Sequence, residues 1–253
     1  MGTPMMSKTK GLTSDIPFPD PGHCHCIVGA LQYLTLTHPD LAFCVNIVSQ
    51  FMHSPTIAHY KMVKCILWYL HGTVDLGMHF TSQSILDLYA FFDIDWAGCP
   101  QTGRSTTDYC VFLGSNCISW STKKQHIVSR SSSKVEYRAM AHTAAELTWI
   151  SILLSDLGVQ LSSPPILFCD NLSALYMTVN PVFYARSKHI EIDYHYVREH
   201  VALGLLETRH VWPLFYLRIF LPNLLVVLPF ILYVPNLAFY LSTVCGGILK
   251  IIP

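Results

Sequence analysis

The chain has 253 residues, enough for one large domain or two modest ones. Hydrophobic residues make up 51% and charged residues only 13%, and with 16 acids against 16 Lys and Arg the net charge excludes a partner chosen by overall charge, leaving only local clusters to choose one. Nine scattered cysteines and a polar Met1-to-Lys10 start exclude a disulfide framework and a secretory leader, so the sequence reads as an intracellular protein, cytoplasmic or nuclear, with reduced thiols.

Residues 1–22 mix Lys, Thr, Ser, Asp, Gly and Pro with little hydrophobic periodicity and read as a loose leader. His23-Cys-His-Cys26 is too crowded for an ordinary zinc finger, and no second Cys/His pair follows at a familiar spacing. From Ile27 to Gly72 apolar residues recur at three- and four-residue steps: Val28, Leu31, Leu34, then Leu41, Val45, Val48 and Met52. Pro39 and Pro55 punctuate these helices, Ser54 is placed to cap the third, and Tyr60, Val63, Leu67 and Leu70 form its expected inner face. Residues 23–84 are therefore a small helical segment, with a short strand expected at Gly77 to Phe80.

Beyond it, Tyr89-Ala-Phe-Phe-Asp-Ile-Asp-Trp-Ala-Gly98 reads as a buried strand carrying acids at its C-terminal end. Pro100 to Thr107 makes a turn. Tyr109 to Leu113 and Cys117 to Ser121 alternate as two strands around the hairpin signal Gly114-Ser-Asn116. An amphipathic helix is predicted from about Ser133 to Leu157, with Met140, Ala144, Leu147, Ile150, Leu154 and Leu157 inward. Strand Ile166 to Cys169, helices from Leu172 to Thr178 and from Ile190 to Leu203, and a last strand from Leu205 to Val211 complete the order. Three strands, helix, strand, two helices and strand suit an α/β fold: a mixed five-stranded sheet whose first three strands form an antiparallel meander, with helices covering its faces.

An acid leaving a strand, an acid at a helix start and a second strand-end acid can converge on one divalent cation. Asp93, Glu136 and Asp170 are those acids. Each also has an ordinary reading: a turn-starting acid for Asp93, a capping-box partner of Ser133 for Glu136, an N-cap for Asp170.

Asp93-Ile-Asp-Trp-Ala-Gly98, Ser129-Arg-Ser-Ser-Ser-Lys-Val-Glu-Tyr-Arg-Ala139 and Cys169-Asp-Asn171 together resemble the ribonuclease H domain of copia-type retrotransposon polyproteins. Ile27 to Ala42, Gln50 to Thr56 and Tyr69 to Thr73 resemble the end of the reverse transcriptase that precedes it. The resemblance implies a ribonuclease-H-like fold at 85–211, a reverse transcriptase remnant at 23–84, and metal-dependent cleavage of RNA in RNA–DNA hybrids. Asp93, Glu136 and Asp170 would be catalytic residues and ligands of Mg2+, with Mn2+ as a substitute and no small-molecule cofactor. No Tyr-x-Asp-Asp motif is present, so no polymerase activity is implied. Arg104, Lys123, Lys124, Arg130, Arg138 and Asn171 are the candidate nucleic-acid contacts, the cations holding phosphates without reading sequence. Gln125 and Ser131 are further polar candidates, while His189 and His195 read as ordinary surface or core histidines.

The family's closing Ala-Asp-Ile-x-Thr-Lys-like helix, whose aspartate is a fourth ligand, has no match after Val211. Impaired catalysis follows, or a remnant that only binds nucleic acid. Residues 212–253 instead form an apolar tail, uncharged from Ile219 to Leu249 and long enough to span a bilayer, though broken by Pro222, Pro229 and Pro235. A membrane is thus the alternative partner, and the tail is expected to pack little against the rest of the chain.

Overall fold

The computed structural model describes Pro4 and residues 16–74, 77–78, 80–82, 85–99, 102–128, 131–179 and 191–212. The chain divides into two compact units, separated between His79 and Phe80. The apolar tail beyond residue 212 lies outside the described residues.

The first unit holds three helices. Helix α1 (Pro21–Leu34) starts earlier than the apolar periodicity suggests, because the Asp20 carboxylate accepts from the His23 N–H at 3.0 Å and Pro21 fits the first helical position. The residues before it are tied to the loop ahead of the third helix: Phe18 N–H donates to Pro55 O, Ile57 N–H donates to Ile16 O, and Phe18 stacks on Tyr60. A single 3-10 turn, Pro39–Leu41, leads into α2 (Ala42–Ser49). Helix α3 (Ile57–His71) is capped by Thr56 rather than by the expected Ser54, with His59 returning the bond in a capping box. Its inner face is Met62, Val63, Ile66 and Tyr69. With the Tyr69 hydroxyl held on Asp40 at 2.8 Å, Leu67 falls on the outer side.

The second unit is a mixed sheet. Strands β1 (Leu88–Asp95), β2 (Thr106–Leu113) and β3 (Asn116–Lys124) form an antiparallel meander. After helix α4 (Ser132–Asp156), β4 (Ile166–Cys169) returns parallel to β1. After α5 (Leu172–Val179) and α6 (Glu191–Ala202), β5 (Glu207–His210) lies parallel to β4. The spatial order is β3-β2-β1-β4-β5, the ribonuclease-H-like arrangement expected from the element order. The strands β2 and β3 run three residues beyond the alternating patterns at their outer ends, since Thr106 to Asp108 pair with Lys124 to Thr122. No strand forms at Gly77, Met78 or Phe80. There the Asn116 side chain at the β2–β3 hairpin takes both the N–H and the carbonyl of Thr81, replacing a strand partner.

Alternation along β1 separates two faces. Leu88, Ala90 and Phe92 join Tyr109, Val111, Leu167 and the inward residues of α4, α5 and α6 in one core. Tyr89 and Phe91 point the other way, where they stack with Phe112 and Phe168. Helices were expected to cover the sheet's faces; among the described residues α4, α5 and α6 share the single core on the Phe92 side. Leu157, expected inward, is exposed one residue beyond the end of α4.

Candidate functional site

Two parallel strands place two acids side by side. Phe91 of β1 pairs with Phe168 of β4, and Asp93 and Asp170 each follow by two residues toward the C-terminal end. From this central pair the chain leaves β1 toward β2 and leaves β4 toward α5 and β5, on the opposite side. Such a switch in connection direction opens a crevice at strand C-termini, where ligands of α/β sheets commonly sit. Glu136 approaches from the N-terminal end of α4, a helix that packs across β1.

The electrostatics agree with this convergence. Burial first, then the charges of Asp170 and Asp93, push the Glu136 carboxyl up to about 8. Asp170 is raised by burial and by Asp93, with its own backbone and His210 opposing. Burial raises Asp93, against a 2.7 Å hydrogen bond that its Oδ1 accepts from the Ile94 N–H. Asp95 is raised by burial and then by Asp93.

The ordinary readings of two acids do not describe the local structure. The N-cap of α4 is Ser131, without a side-chain hydrogen bond, so Ser133 and Glu136 form no capping box. Asn171, not Asp170, caps α5 by accepting from the Ala174 N–H at 3.1 Å. That cap also engages Asn171, which was a candidate nucleic-acid contact.

The other candidates are dispersed. Lys123 is exposed near the end of β3; Lys124 is half-buried, its Nζ on Cys99 Sγ. Arg104 is half-buried in the β1–β2 loop, and Arg138 pairs with Asp193 at 3.6 Å. Arg130 and His189 lie outside the described residues, while His195 is exposed on α6. Gln125 is buried instead of facing a substrate. Its amide donates to Thr107 Oγ1 and to the Val135 carbonyl, fastening the start of α4 beside Glu136 to β2.

Sequence reasoning missed two groups. His210 in β5 lies with Nε2 3.2 Å from the Asp170 carbonyl. Asp108 in β2 pairs in register with Asp93. Burial, then Asp93 and Asp95, push its carboxyl up to about 7 against an opposing Thr122 hydrogen bond. The sequence carried no sign of it, because Asp108 precedes the alternating stretch and joins β2 through its pairing with Thr122.

The turn after β1 is strained. Ala97 has φ +53°, a left-handed conformation unfavourable for a residue with a Cβ, and its N–H donates to Ser105 Oγ. Gly98 lies so close to Asp95 that an added Cβ would fall 1.7 Å from its Oδ2. Replacing Ala97 by glycine is expected to raise unfolding stability by about 1 kcal/mol in urea denaturation. No gain, or a loss, would show that the conformation carries no strain.

The donor set suits a hard divalent cation: carboxylate oxygens at strand and helix ends, and one buried carboxylate oxygen, Asp108 Oδ1, without a hydrogen-bond partner. Among the described residues no group of three or more His, Cys, Asp or Glu is already placed to hold an ion. Among them too, no helix is long and apolar enough to cross a membrane, so membrane association finds no support there.

No family model matches the chain. It is 48% identical over 212 residues to the retrovirus-related Pol polyprotein from transposon RE2 of Arabidopsis thaliana, covering 83% of this chain and 15% of that protein. The Pol polyprotein from transposon RE1 of the same plant is 47% identical over 210 residues, covering 83% and 14%. That from transposon TNT 1-94 of Nicotiana tabacum is 33% identical over 199 residues, covering 78% and 14%. The chain thus spans only a small part of the length of these relatives. Among solved structures, ribonuclease H1 from the archaeon Halobacterium salinarum aligns with 14% identity and a TM-score of 0.30, over 50% of this chain and 86% of that one. A score that low adds nothing to the strand order described above. Close identity to these polyproteins over most of its length means that the chain belongs to the Pol polyproteins of copia-type retrotransposons, and its second unit has the ribonuclease-H-like strand order.

Proposed function

We propose that the second unit cleaves the RNA strand of RNA–DNA hybrids with divalent cations, Mg2+ or Mn2+, held by Asp93, Glu136 and Asp170, and that it does so weakly. The observation that supports this reading best is the parallel β1–β4 pair, in which Asp93 and Asp170 each follow a paired phenylalanine by two residues, together with the charges of both acting on Glu136. Bound there, such ions would neutralise charge on the attacking and leaving oxygens of the phosphodiester. Strand ends and a helix start are rigid platforms, from which the three carboxylates would close on a common ion. Lys123 and Arg104 lie near the β2–β3 end of the same sheet edge and suit phosphate contacts. The weakness rests on the unmatched fourth acid after β5. The helical first unit is read as the end of a reverse transcriptase, without the polymerase's own acidic motif.

A second reading, a remnant that binds hybrids without cutting them, is favoured by the lack of a ready three-ligand cluster among the described residues. A labelled RNA–DNA hybrid, incubated with the protein in Mg2+, in Mn2+ and in EDTA beside Asp93→Asn, separates the two. Slow cation-dependent cleavage, lost in EDTA and in Asp93→Asn, is expected. Binding should weaken steadily as salt rises, because phosphate contacts release counterions. Turnover equal to that of an intact ribonuclease H would refute the impairment. Cleavage unaffected by Asp93→Asn would remove this aspartate from the site, and binding without cleavage would establish the second reading.

A further inference from the structure

Asp108 is a charged side chain in an unusual position. It is 8% exposed, and its neighbour across the β1–β2 ladder is Asp93. Residues directly opposite in an antiparallel pair project from the same face, with Cβ atoms about 5 Å apart, and like charges there are destabilising. Thr122 donates to the Asp108 carboxylate, but Oδ1 has no hydrogen-bond partner. Among the described residues no ion pair reaches it either. Buried polar atoms in native structures are nearly always satisfied, and a carboxylate oxygen left unmatched beside a second carboxylate is a costly exception. A residue kept only for packing would not need an acid at this position.

We propose that Asp108 is a fourth carboxylate of the cation site, joining Asp93 from the neighbouring strand. The inference rests on the reading of Asp93, Glu136 and Asp170 as the cation-holding acids. It places the additional acid on the β2 side of Asp93, whereas the family motif expects one after β5. The orphaned Oδ1 supplies a carboxylate oxygen on the β2 side of Asp93, opposite the β4 side from which Asp170 comes. A divalent cation, which takes several oxygen ligands, would meet the need that no hydrogen bond meets here.

Mn2+ binding to the full chain, measured by isothermal titration at slightly alkaline pH, tests this with Asp108→Asn and Asp170→Asn beside the natural sequence. Melting temperatures without cation are recorded in parallel. Asp108→Asn is expected to weaken Mn2+ binding by about tenfold or more, while melting no lower than the natural chain in the absence of cation. Unchanged Mn2+ affinity in Asp108→Asn, with affinity lost in Asp170→Asn, would exclude Asp108 and leave the three-acid reading intact. A lower melting temperature for cation-free Asp108→Asn would make its role structural and overturn the proposal. Failure of the natural chain to bind Mn2+ would sink both readings.

Discussion

Phe92→Ala is expected to destabilise the second unit by about 3–5 kcal/mol, the cost of deleting a buried phenyl ring together with the cavity it leaves. Phe92 is fully buried at the centre of β1, opposite Tyr109 and against α4. Its neighbours belong to a rigid sheet, so the cavity has little room to collapse. Urea denaturation followed by tryptophan fluorescence measures the loss. Phe91→Ala offers the comparison from the opposite face of the same strand. A Phe92→Ala loss well under 2 kcal/mol would mean that this core is looser than its burial indicates.

The second large effect is a fall in stability as pH rises. Asp108 and Glu136 have carboxyls pushed up to about 7 and about 8, against 3.8 and 4.5 for the free groups. A group with the higher pKa in the folded chain holds more protons folded than unfolded between the two values. Its favourable contribution is complete below the unfolded pKa and disappears as pH climbs through the folded one. Without divalent cations, stability should therefore drop by on the order of a few kcal/mol between mildly acidic and mildly alkaline buffer. Unfolding midpoints across that range measure it, and Asp108→Asn should flatten part of the slope. A midpoint that rises with pH would contradict the burial of these two acids.

Local chemistry made much of this fold legible. Alternation found β2 and β3, three- and four-residue apolar steps found the helices of the first unit, and amphipathicity found α4. The misplaced details are those that distant residues decide. Thr106 to Asp108 become strand because Lys124 to Thr122 lie opposite, and the loop from Trp96 to Ser105 gives no hint of that register. For the same reason nothing before the fold could set Asp108 against Asp93. Gln125 and Asn171 look like free polar contacts in sequence, yet one is buried as a strut beside Glu136 and the other is used as a helix cap. Arg138 looked available for phosphate, but Asp193 on α6 reaches it. The positions of Asp93, Glu136 and Asp170 along their elements were legible because they follow directly from where each element starts or stops.

The parallel pairing of β1 with β4 also dictates when the acids can meet. Hairpin β2–β3 closes over a few residues, and β1–β2 over a short loop, so the meander has a low entropic barrier to assembly. Tyr89 must wait for Ile166, with all of α4 synthesised between them. Long-range pairings of this kind are slow to form, since loop closure is paid before the contacts return anything. On the ribosome, Asp93 and Asp108 therefore face each other early, in a nascent chain that has no Asp170 yet to join them. A polypeptide that stops short of Cys169 can have the meander and still lack the neighbouring acid that the parallel strand brings.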